Sequence, residues 1–183
     1  MEKFSSALEA FSYWAKKNPN QVFLRQPINR NFIEYTYKDA DVEIRKMISG
    51  LRNLGIQPGD HIAILSKNCA HWMMADLAIM AAGCISIPIY PTFGAETIFE
   101  ILEHSESKAI IVGKLDDYAA QQSGIPDIIK IGVEMYGVIE EQTWEKILAQ
   151  NEPSEQIHTP QPEDLMTIMY TSGTTGNPKG VMH

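Results

Sequence analysis

A ten-residue run near the end of the sequence combines the residue types best suited to holding phosphate groups. From Thr171 to Gly180 it reads Thr-Ser-Gly-Thr-Thr-Gly-Asn-Pro-Lys-Gly. Glycines let main-chain N–H groups approach phosphate oxygens closely, and hydroxyl groups can donate to the same oxygens or accept a divalent ion. Lys179 adds a compact positive charge. The run therefore predicts a loop that binds nucleotide phosphates.

This run does not have the spacing of the Walker A loop. Gly173 and Gly176 are too close together, Lys179 precedes the final glycine, and no hydroxyl residue follows that lysine. The apolar pair Val181-Met182 favours a second strand after the run, whereas a Walker loop opens a helix. We therefore set aside P-loop kinases and GTPases.

A flexible linker is the structural alternative for a segment rich in glycine, serine and threonine. Linkers are usually flanked by polar sequence. This run instead lies between the apolar segments 168–170 and 181–182. The flanks favour a functional loop held between two core elements.

Strand and helix alternate in the middle of the chain. The apolar strand 61–65 is followed by a helix over 68–82 and a second strand over 85–89, which is typical of a right-handed parallel crossover. A helix over 95–104 and a strand over 109–112 repeat the pattern. The strands are apolar on both faces, as expected where helices cover both sides of a sheet. We predict an α/β fold with a mostly parallel sheet and helices on both faces.

The N-terminal segment is predicted to add a helix and a hairpin. Leu8 and Phe11 recur at helical spacing, and Pro19 closes that helix. Strands over 22–24 and 32–37 flank a turn and form the hairpin. The helix that follows is expected to bury one apolar stripe, made of Val42, Ile44, Met47, Ile48 and Leu51.

Single residues predict where these elements begin and end. Thr36 followed by Asp39 indicates a helix start, Asn68 is expected to cap the helix over 68–82, and Gly83 to end it. Pro88 conflicts with the interior of a central strand, so we expect it to mark a strand end.

The remaining segments lead up to the candidate loop. A strand over 127–131 and a short helix over 143–149 are followed by a polar, proline-containing stretch over 150–163, which we interpret as an exposed connector. A strand over 165–170 then runs straight into the loop. No internal repeat beyond the strand–helix alternation is visible.

Composition narrows the class of protein. The chain has 183 residues, enough for one domain with a real core. Its net charge of -8 argues against a nucleic-acid binder, which needs a concentrated basic face. The apolar stretch 72–88 is too broken for a membrane span, although peripheral membrane contact stays open. Cys69 and Cys84 lack metal-ligand spacing and are predicted to be buried free thiols, which fits a reducing cytoplasm.

The segment from Tyr170 to Val181 resembles the signature loop of the AMP-forming adenylating enzymes, which include acyl-CoA synthetases, peptide-synthetase adenylation domains and luciferases. The similarity extends to 34–37, 59–64 and 162–165. Within 68–92 the sequence looks like the long-chain fatty acid–CoA ligase branch in particular, through Trp72, Asp76, Ala78, Gly83, Pro88 and Tyr90-Pro91-Thr92.

The resemblance implies a two-step reaction with ATP, Mg²⁺ and coenzyme A, in which a long-chain fatty acid becomes an acyl-adenylate and then a thioester. By position, Thr171 would contact the metal. The residues that would bind the β- and γ-phosphates are Thr171, Ser172, Gly173, Thr174, Thr175, Gly176 and Lys179. We assign no catalytic residue within the chain. Other acyl, aryl or amino acid adenylating enzymes, and a stand-alone phosphate-binding module, remain alternatives.

The family comparison also sets expectations about extent and about two histidines. Residues 1–183 would form the N-terminal part of the AMP-binding domain, with the rest of the large domain and the C-terminal domain absent, so this piece is expected to be inactive alone. In the long-chain branch a hydroxyl–histidine pair follows the loop after a short spacer. His183 departs from that spacing, and we give it no role. His71 is predicted to be a surface or capping residue, with a pocket-lining role as the alternative.

Overall fold

The central feature of the fold is a five-stranded parallel sheet. A computed structural model describes residues 3–161, 163–172 and 178–183. The sheet has the order β4-β3-β5-β6-β7. Its strands are β3 (His61–Leu65), β4 (Ile85–Ile89), β5 (Ala109–Val112), β6 (Ile129–Gly132) and β7 (Gln142–Thr143).

Helices and two antiparallel hairpins surround this sheet. One hairpin pairs β1 (Val22–Ile28) with β2 (Asn31–Thr36), and the other pairs β8 (Ile168–Ser172) with β9 (Pro178–Met182). The helices are α1 (Ala7–Lys17), α2 (Tyr37–Asn53), α3 (Ala70–Ala81), α4 (Ala95–His104), α5 (Tyr118–Gln121) and α6 (Trp144–Gln150). The predicted fold class, a mostly parallel α/β sheet with an N-terminal hairpin, is confirmed.

Strand β3 shows why the sheet is covered on both faces. Ile62 and Ile64 belong to one core cluster, which they share with residues of α2 and α3. Ala63 and Leu65 belong to a second cluster, which includes residues of α4. Because successive side chains of a strand point to opposite faces, an unbroken apolar strand needs helices on both sides.

Helix α2 begins at the predicted position. The Thr36 side chain accepts a hydrogen bond from the Asp39 N–H over 3.1 Å, and the Asp39 carboxylate accepts one from the Thr36 N–H over 2.9 Å. Together they form a capping box. Four of the five predicted stripe residues are buried. The assignment of Val42 to the core is wrong, since it is 36% exposed and lies at the edge of the buried face.

Cys69, and not the predicted Asn68, caps helix α3. Cys69 has an extended backbone, and its Sγ accepts a hydrogen bond from the Trp72 N–H over 3.4 Å. The chain stays extended through this residue, so the first free N–H groups of the helix lie within reach of Cys69. Gly83 follows the helix with φ +72, the left-handed conformation expected at a helix end. Both cysteines are free thiols, but only Cys84 is fully buried.

Pro88 lies within strand β4 and does not end it. It pairs with Ile64, and the strand continues to Ile89. Two residues earlier, the Ser86 N–H donates to the Met166 carbonyl, away from β3. Because the N–H groups of successive residues in a strand point to alternate sides, the nitrogen of Pro88 also points away from β3. The missing N–H of proline therefore removes no hydrogen bond between β3 and β4.

The predicted connector over 150–163 is tied to the helices by its backbone. The Ser154 N–H donates to the Arg45 carbonyl, and the His158 N–H donates to the Ala81 carbonyl. Most described residues of this stretch are half-buried or exposed, as predicted. The sequence pattern missed β7 and α5, which are only two and four residues long.

Candidate functional site

The candidate loop connects the two strands of the β8–β9 hairpin. Strand β8 precedes the loop and β9 follows it, so the predicted strand on each side of the loop is confirmed. Thr171 and Lys179 are direct partners across the hairpin, and both are exposed. Four predicted phosphate-binding residues lie outside the described part of the chain: Gly173, Thr174, Thr175 and Gly176. Ser172 is described as the last residue of β8.

The hairpin continues the central sheet beyond β4. Ser86 of β4 forms a parallel bridge with Thr167, the residue before β8. The Thr167 hydroxyl donates to the Ser86 carbonyl over 3.0 Å. Because β8 runs parallel to β4, the end of β8 from which the loop leaves lies at the carboxyl edge of the sheet, where ligands of open α/β sheets bind.

His183 lies at the end of the hairpin opposite the loop. Its backbone N–H donates to the Thr167 carbonyl over 3.0 Å, and its carbonyl accepts hydrogen bonds from Met166 and Thr167. The pairs between it and the loop run from Ile168–Met182 to Ser172–Pro178. This position gives no support to a role for His183 in phosphate binding.

An apolar cavity of about 180 Å³ lies beside β8 at the same edge of the sheet. It brings side chains from the ends of β3, β4 and β8 next to the base of the loop. Its lining is Ser66, Asn68, Trp72, Pro88, Ile89, Tyr90, Pro91, Met169 and Tyr170. A larger depression of about 900 Å³ lies at the amino ends of β5 and β6, with charged side chains such as Lys108 and Glu140. We give it no role in the candidate site, because the loop lies at the opposite edge.

His71 is buried in the core, and its predicted surface or capping position is wrong. It is 3% exposed, and its Nδ1 lies 3.0 Å from the hydroxyl of Tyr136. The His71 ring also makes edge contacts with Tyr35 and Trp144. Burial lowers the pKa of His71 to about 4, so the ring is neutral at pH 7. Helix α3 is covered on nearly all sides, which its apolar sequence explains, and His71 takes a core position.

Thr171 is the residue whose predicted role includes metal binding. Within the described ranges, no group of three or more His, Cys, Asp or Glu residues is arranged to hold a metal ion. The exposed hydroxyl of Thr171 is a hard oxygen donor of the kind that Mg²⁺ accepts alongside water and phosphate oxygens. The chemistry of Thr171 therefore suits the predicted contact with Mg²⁺, which stays a prediction.

Among the helices in the described part of the chain, none is long and apolar enough to cross a bilayer.

Sequence comparison gives a family match over most of the chain. The family described as AMP-binding enzyme matches residues 11–183. Fatty acyl-CoA synthetase A of Dictyostelium discoideum is 33% identical over 165 residues, which covers 80% of this chain and 24% of the relative. Long chain acyl-CoA synthetase 5 of Arabidopsis thaliana is 30% identical over 202 residues, covering 100% and 30%. The chain thus spans 24% and 30% of the length of these two relatives.

Solved structures share the fold at lower sequence identity. The anthranilate CoA ligase AuaEII in complex with anthranoyl-AMP has a TM-score of 0.83 at 19% identity, covering 100% of this chain and 34% of that one. Acetoacetyl-CoA synthetase from Streptomyces lividans has a TM-score of 0.82 at 21% identity, covering 96% and 29%. The fatty acyl-adenylate ligase from L. pneumophila, in complex with acyl adenylate and pyrophosphate, has a TM-score of 0.71 at 22% identity, covering 98% and 30%.

Proposed function

Because this chain belongs to the family of AMP-binding enzymes, we propose that its loop over 171–180 holds the phosphates of ATP while a carboxylic acid is activated. The observation that carries the proposal is the placement of Thr171 opposite Lys179 at the mouth of a hairpin loop, inside the matched region. A hydroxyl and an ammonium group in this position would face the same anion. Their charge and polarity suit the triphosphate better than the acid substrate.

The proposed reaction has two steps. In the first, a carboxylate oxygen of the acid attacks the α-phosphorus of ATP, and the bond to the β-phosphate oxygen breaks to release pyrophosphate. In the second, the thiol of coenzyme A attacks the acyl carbonyl carbon, loses its proton, and AMP leaves. The residues of this chain would act in the first step, where negative charge builds on the leaving pyrophosphate and fixed donors stabilise it.

The residues that we propose for this role are those of the loop: Thr171, Ser172, Gly173, Thr174, Thr175, Gly176 and Lys179. Thr171 would also hold Mg²⁺, which supplies charge neutralisation at the phosphates when bound. The Lys179 side chain would supply a positive charge that needs no metal. The residues that bind the adenine, the acid and coenzyme A are not assigned in this chain.

We propose a long-chain fatty acid as the substrate. The support is the agreement among relatives at about 30% identity, whose names include fatty acyl-CoA synthetase A and long chain acyl-CoA synthetases 2 and 5. An aryl or short acyl substrate is the alternative, since structures of the same fold include an anthranilate CoA ligase and an acetoacetyl-CoA synthetase. We also propose a cytoplasmic location, whereas two of the relatives are described as chloroplastic.

A substrate panel tests this function in the protein encoded by the reading frame that contains residues 1–183. The panel contains a short-chain, a medium-chain, a long-chain and an aryl acid. Each acid is supplied with ATP, Mg²⁺ and coenzyme A, and the release of AMP and the formation of the thioester are measured. We expect AMP release that depends on both acid and ATP and is fastest with long-chain acids. Release that is fastest with an aryl acid would favour the alternative substrate.

The rival module without enzymatic activity makes a different prediction for residues 1–183 alone. A self-sufficient phosphate-binding module would bind ATP tightly in calorimetry, whereas one wall of a larger ATP site would bind weakly or not at all. We expect the second result, and no exchange of pyrophosphate into ATP above background. The module would be supported if residues 1–183 bound ATP tightly and if neither this segment nor the longer protein exchanged pyrophosphate into ATP.

A further inference from the structure

We infer that His104, Tyr170 and Gly180 form an anchor that holds the base of the phosphate-binding loop in position. The inference rests on the proposed function of the loop. It adds positioning residues to that function, none of which would contact ATP. The three residues lie on three different elements, namely the end of α4, strand β8 and strand β9.

The first contact joins α4 to β8. Nδ1 of His104, the last residue of the helix, lies 2.8 Å from the hydroxyl oxygen of Tyr170. The two rings meet edge to face, with centroids 5.6 Å apart. Tyr170 is 2% exposed, whereas His104 is exposed, so the histidine reaches in from the surface to the only polar group of a buried ring.

The second contact joins β8 to β9 beneath the loop. Tyr170 and Gly180 are direct partners across the hairpin. A Cβ atom placed on Gly180 would lie 2.7 Å from Cγ2 of Ile168 and 3.4 Å from Cζ of Tyr170. The ring of Tyr170 and the side chain of Ile168 therefore lie over the bare backbone of Gly180 and fill the space that a side chain at this position would need.

These contacts adjoin the proposed phosphate ligands. Thr171 follows Tyr170 and Lys179 precedes Gly180, so the anchored pair and the pair Thr171–Lys179 are consecutive rungs of one hairpin. Because side chains alternate along a strand, the anchored pair faces the core, while Thr171 and Lys179 project from the other face. A shift of the Tyr170 ring would be passed directly to both proposed ligands.

Either partner of the Tyr170–His104 contact can be the hydrogen-bond donor. Burial raises the pKa of Tyr170, so its hydroxyl keeps its proton. That hydroxyl can donate to Nδ1 of His104 or accept from it, depending on the tautomer of the ring. Asparagine offers a side-chain oxygen that accepts and a side-chain nitrogen that donates, so it is the conservative replacement for this interaction.

Four variants of the protein test the anchor: His104→Ala, His104→Asn, Tyr170→Phe and the control Glu103→Ala. Glu103 is an exposed neighbour on the same helical turn, and its side chain lies by the depression at the far edge of the sheet. Hydrogen exchange of peptides within 168–183, the midpoint of thermal unfolding, and the kcat and KM for ATP are measured for each.

We expect His104→Ala and Tyr170→Phe to speed exchange in the hairpin and to lower kcat/KM for ATP about 10- to 100-fold, because displaced ligands lose transition-state contacts. His104→Asn should recover most of both effects, and Glu103→Ala should match the wild type. Unaltered exchange in His104→Ala and Tyr170→Phe would overturn the anchor. So would a loss of activity that follows the unfolding midpoint and is not rescued by asparagine.

The proposed function and the anchor fail in different ways. If the wild-type protein shows no ATP-dependent activity with any acid, the proposed function is wrong, and faster hairpin exchange in His104→Ala still supports the contact as an anchor of the loop. If the wild type is active and His104→Ala keeps full activity and full protection, the anchor is wrong and the proposed function stands.

Discussion

Glu43 and Trp144 are 101 residues apart in sequence and share a hydrogen bond in the interior of the fold. The indole N–H of Trp144 donates to Oε2 of Glu43 over 2.9 Å. Trp144 is 1% exposed, so its N–H has no access to bulk water. Burial raises the pKa of Glu43, and the hydrogen bond from Trp144 opposes this only in part. Helices α2 and α6 are therefore joined through a carboxyl group whose charged form is disfavoured.

Replacing Glu43 by glutamine should stabilise the protein at neutral pH. A carboxyl group whose pKa is raised on folding contributes stability that is full below its ordinary value of 4.5 and is lost as the pH rises through the raised value. Glutamine stays neutral and still offers an oxygen to the indole. The difference in free energy of unfolding between Glu43→Gln and wild type should grow as the pH rises above 4.5. It should level off once the pH exceeds the raised pKa of Glu43, where the wild-type carboxyl group is fully charged.

Urea denaturation across this pH range measures that difference, with Glu43→Ala as the control. Alanine leaves the buried indole N–H without its partner, which should cost about 1–3 kcal/mol relative to Glu43→Gln at every pH. A Glu43→Gln difference that does not change with pH would contradict the raised pKa.

Gly50 lets helices α2 and α6 come together. A Cβ atom on Gly50 would lie 2.3 Å from Cγ2 of Ile147. Alanine is favoured over glycine by about 1 kcal/mol inside a helix, but overpacking costs about 1–3 kcal/mol, so we expect Gly50→Ala to destabilise the protein overall. Ile147→Leu removes the γ-methyl group at that point. The double variant should be more stable than the sum of the single changes predicts, as measured by chemical denaturation.

The strands and helices of the sheet were predictable because their signals are local. The boundaries 61–65, 85–89, 95–104 and 109–112 all match the structure. Each of these segments is apolar on the faces it buries and is bounded by turn or capping residues. The strand β7 was missed because its two residues are too few to show a period, and only the neighbouring strand makes it part of the sheet.

The predictions for single residues were wrong where contacts with distant parts of the chain determine the position of the side chain. Asn68 is the better helix cap by type, but the backbone conformation places Cys69 at that position. Histidine is a residue type that is not often fully buried, but His71 is covered by partners far away in sequence, such as Tyr136 and Trp144. Nothing local distinguishes a histidine that will have such partners.

The two strands that flank the candidate loop were predictable from the sequence, whereas the phosphate-binding roles of the loop residues stay a prediction. The hairpin that places Thr171 opposite Lys179 follows from apolar flanks on both sides of a polar run. The contact between His104 and Tyr170 was not predictable, because 66 residues separate them and His104 lies in no recognisable motif. Its discovery requires the packing of α4 against the hairpin.

The capping box at the start of α2 should make the stability of the protein sensitive to acid. Hydrogen bonds from the Thr36 hydroxyl and from its backbone N–H lower the pKa of Asp39. A lowered pKa gives stability that is present above the ordinary value of 3.8 and is lost as the pH falls through the lower value. Thr36→Ala should cost about 1 kcal/mol at pH 7 and less at low pH, whereas Thr36→Ser should keep the cap. Unfolding in urea at pH 7 and below pH 3.8 measures both, and an equal loss at the two pH values would contradict a role for the Asp39 charge.

Lys179 should act through its charge on the leaving pyrophosphate. It is exposed and lies opposite Thr171 at the mouth of the loop, so removing its charge should leave the fold intact. In the protein with measurable activity, we expect Lys179→Gln to lower the rate of acyl-adenylate formation about 10²- to 10³-fold with an unchanged unfolding midpoint, because one stabilising donor is lost in the transition state.

The matched control for Lys179 is Lys108→Gln, which removes an exposed lysine at the opposite edge of the sheet. Both variants change the net charge equally, so a general electrostatic effect on ATP binding would appear in both and would weaken with salt.

Thr171 offers a second pair of variants: Thr171→Ser keeps the hydroxyl, and Thr171→Val keeps the shape without it. If the hydroxyl holds Mg²⁺ or phosphate, valine should raise the Mg²⁺ concentration needed for half-maximal rate and serine should not. Equal behaviour of serine and valine would leave the proposed ligand role to the other loop residues and would remove Thr171 from the metal site.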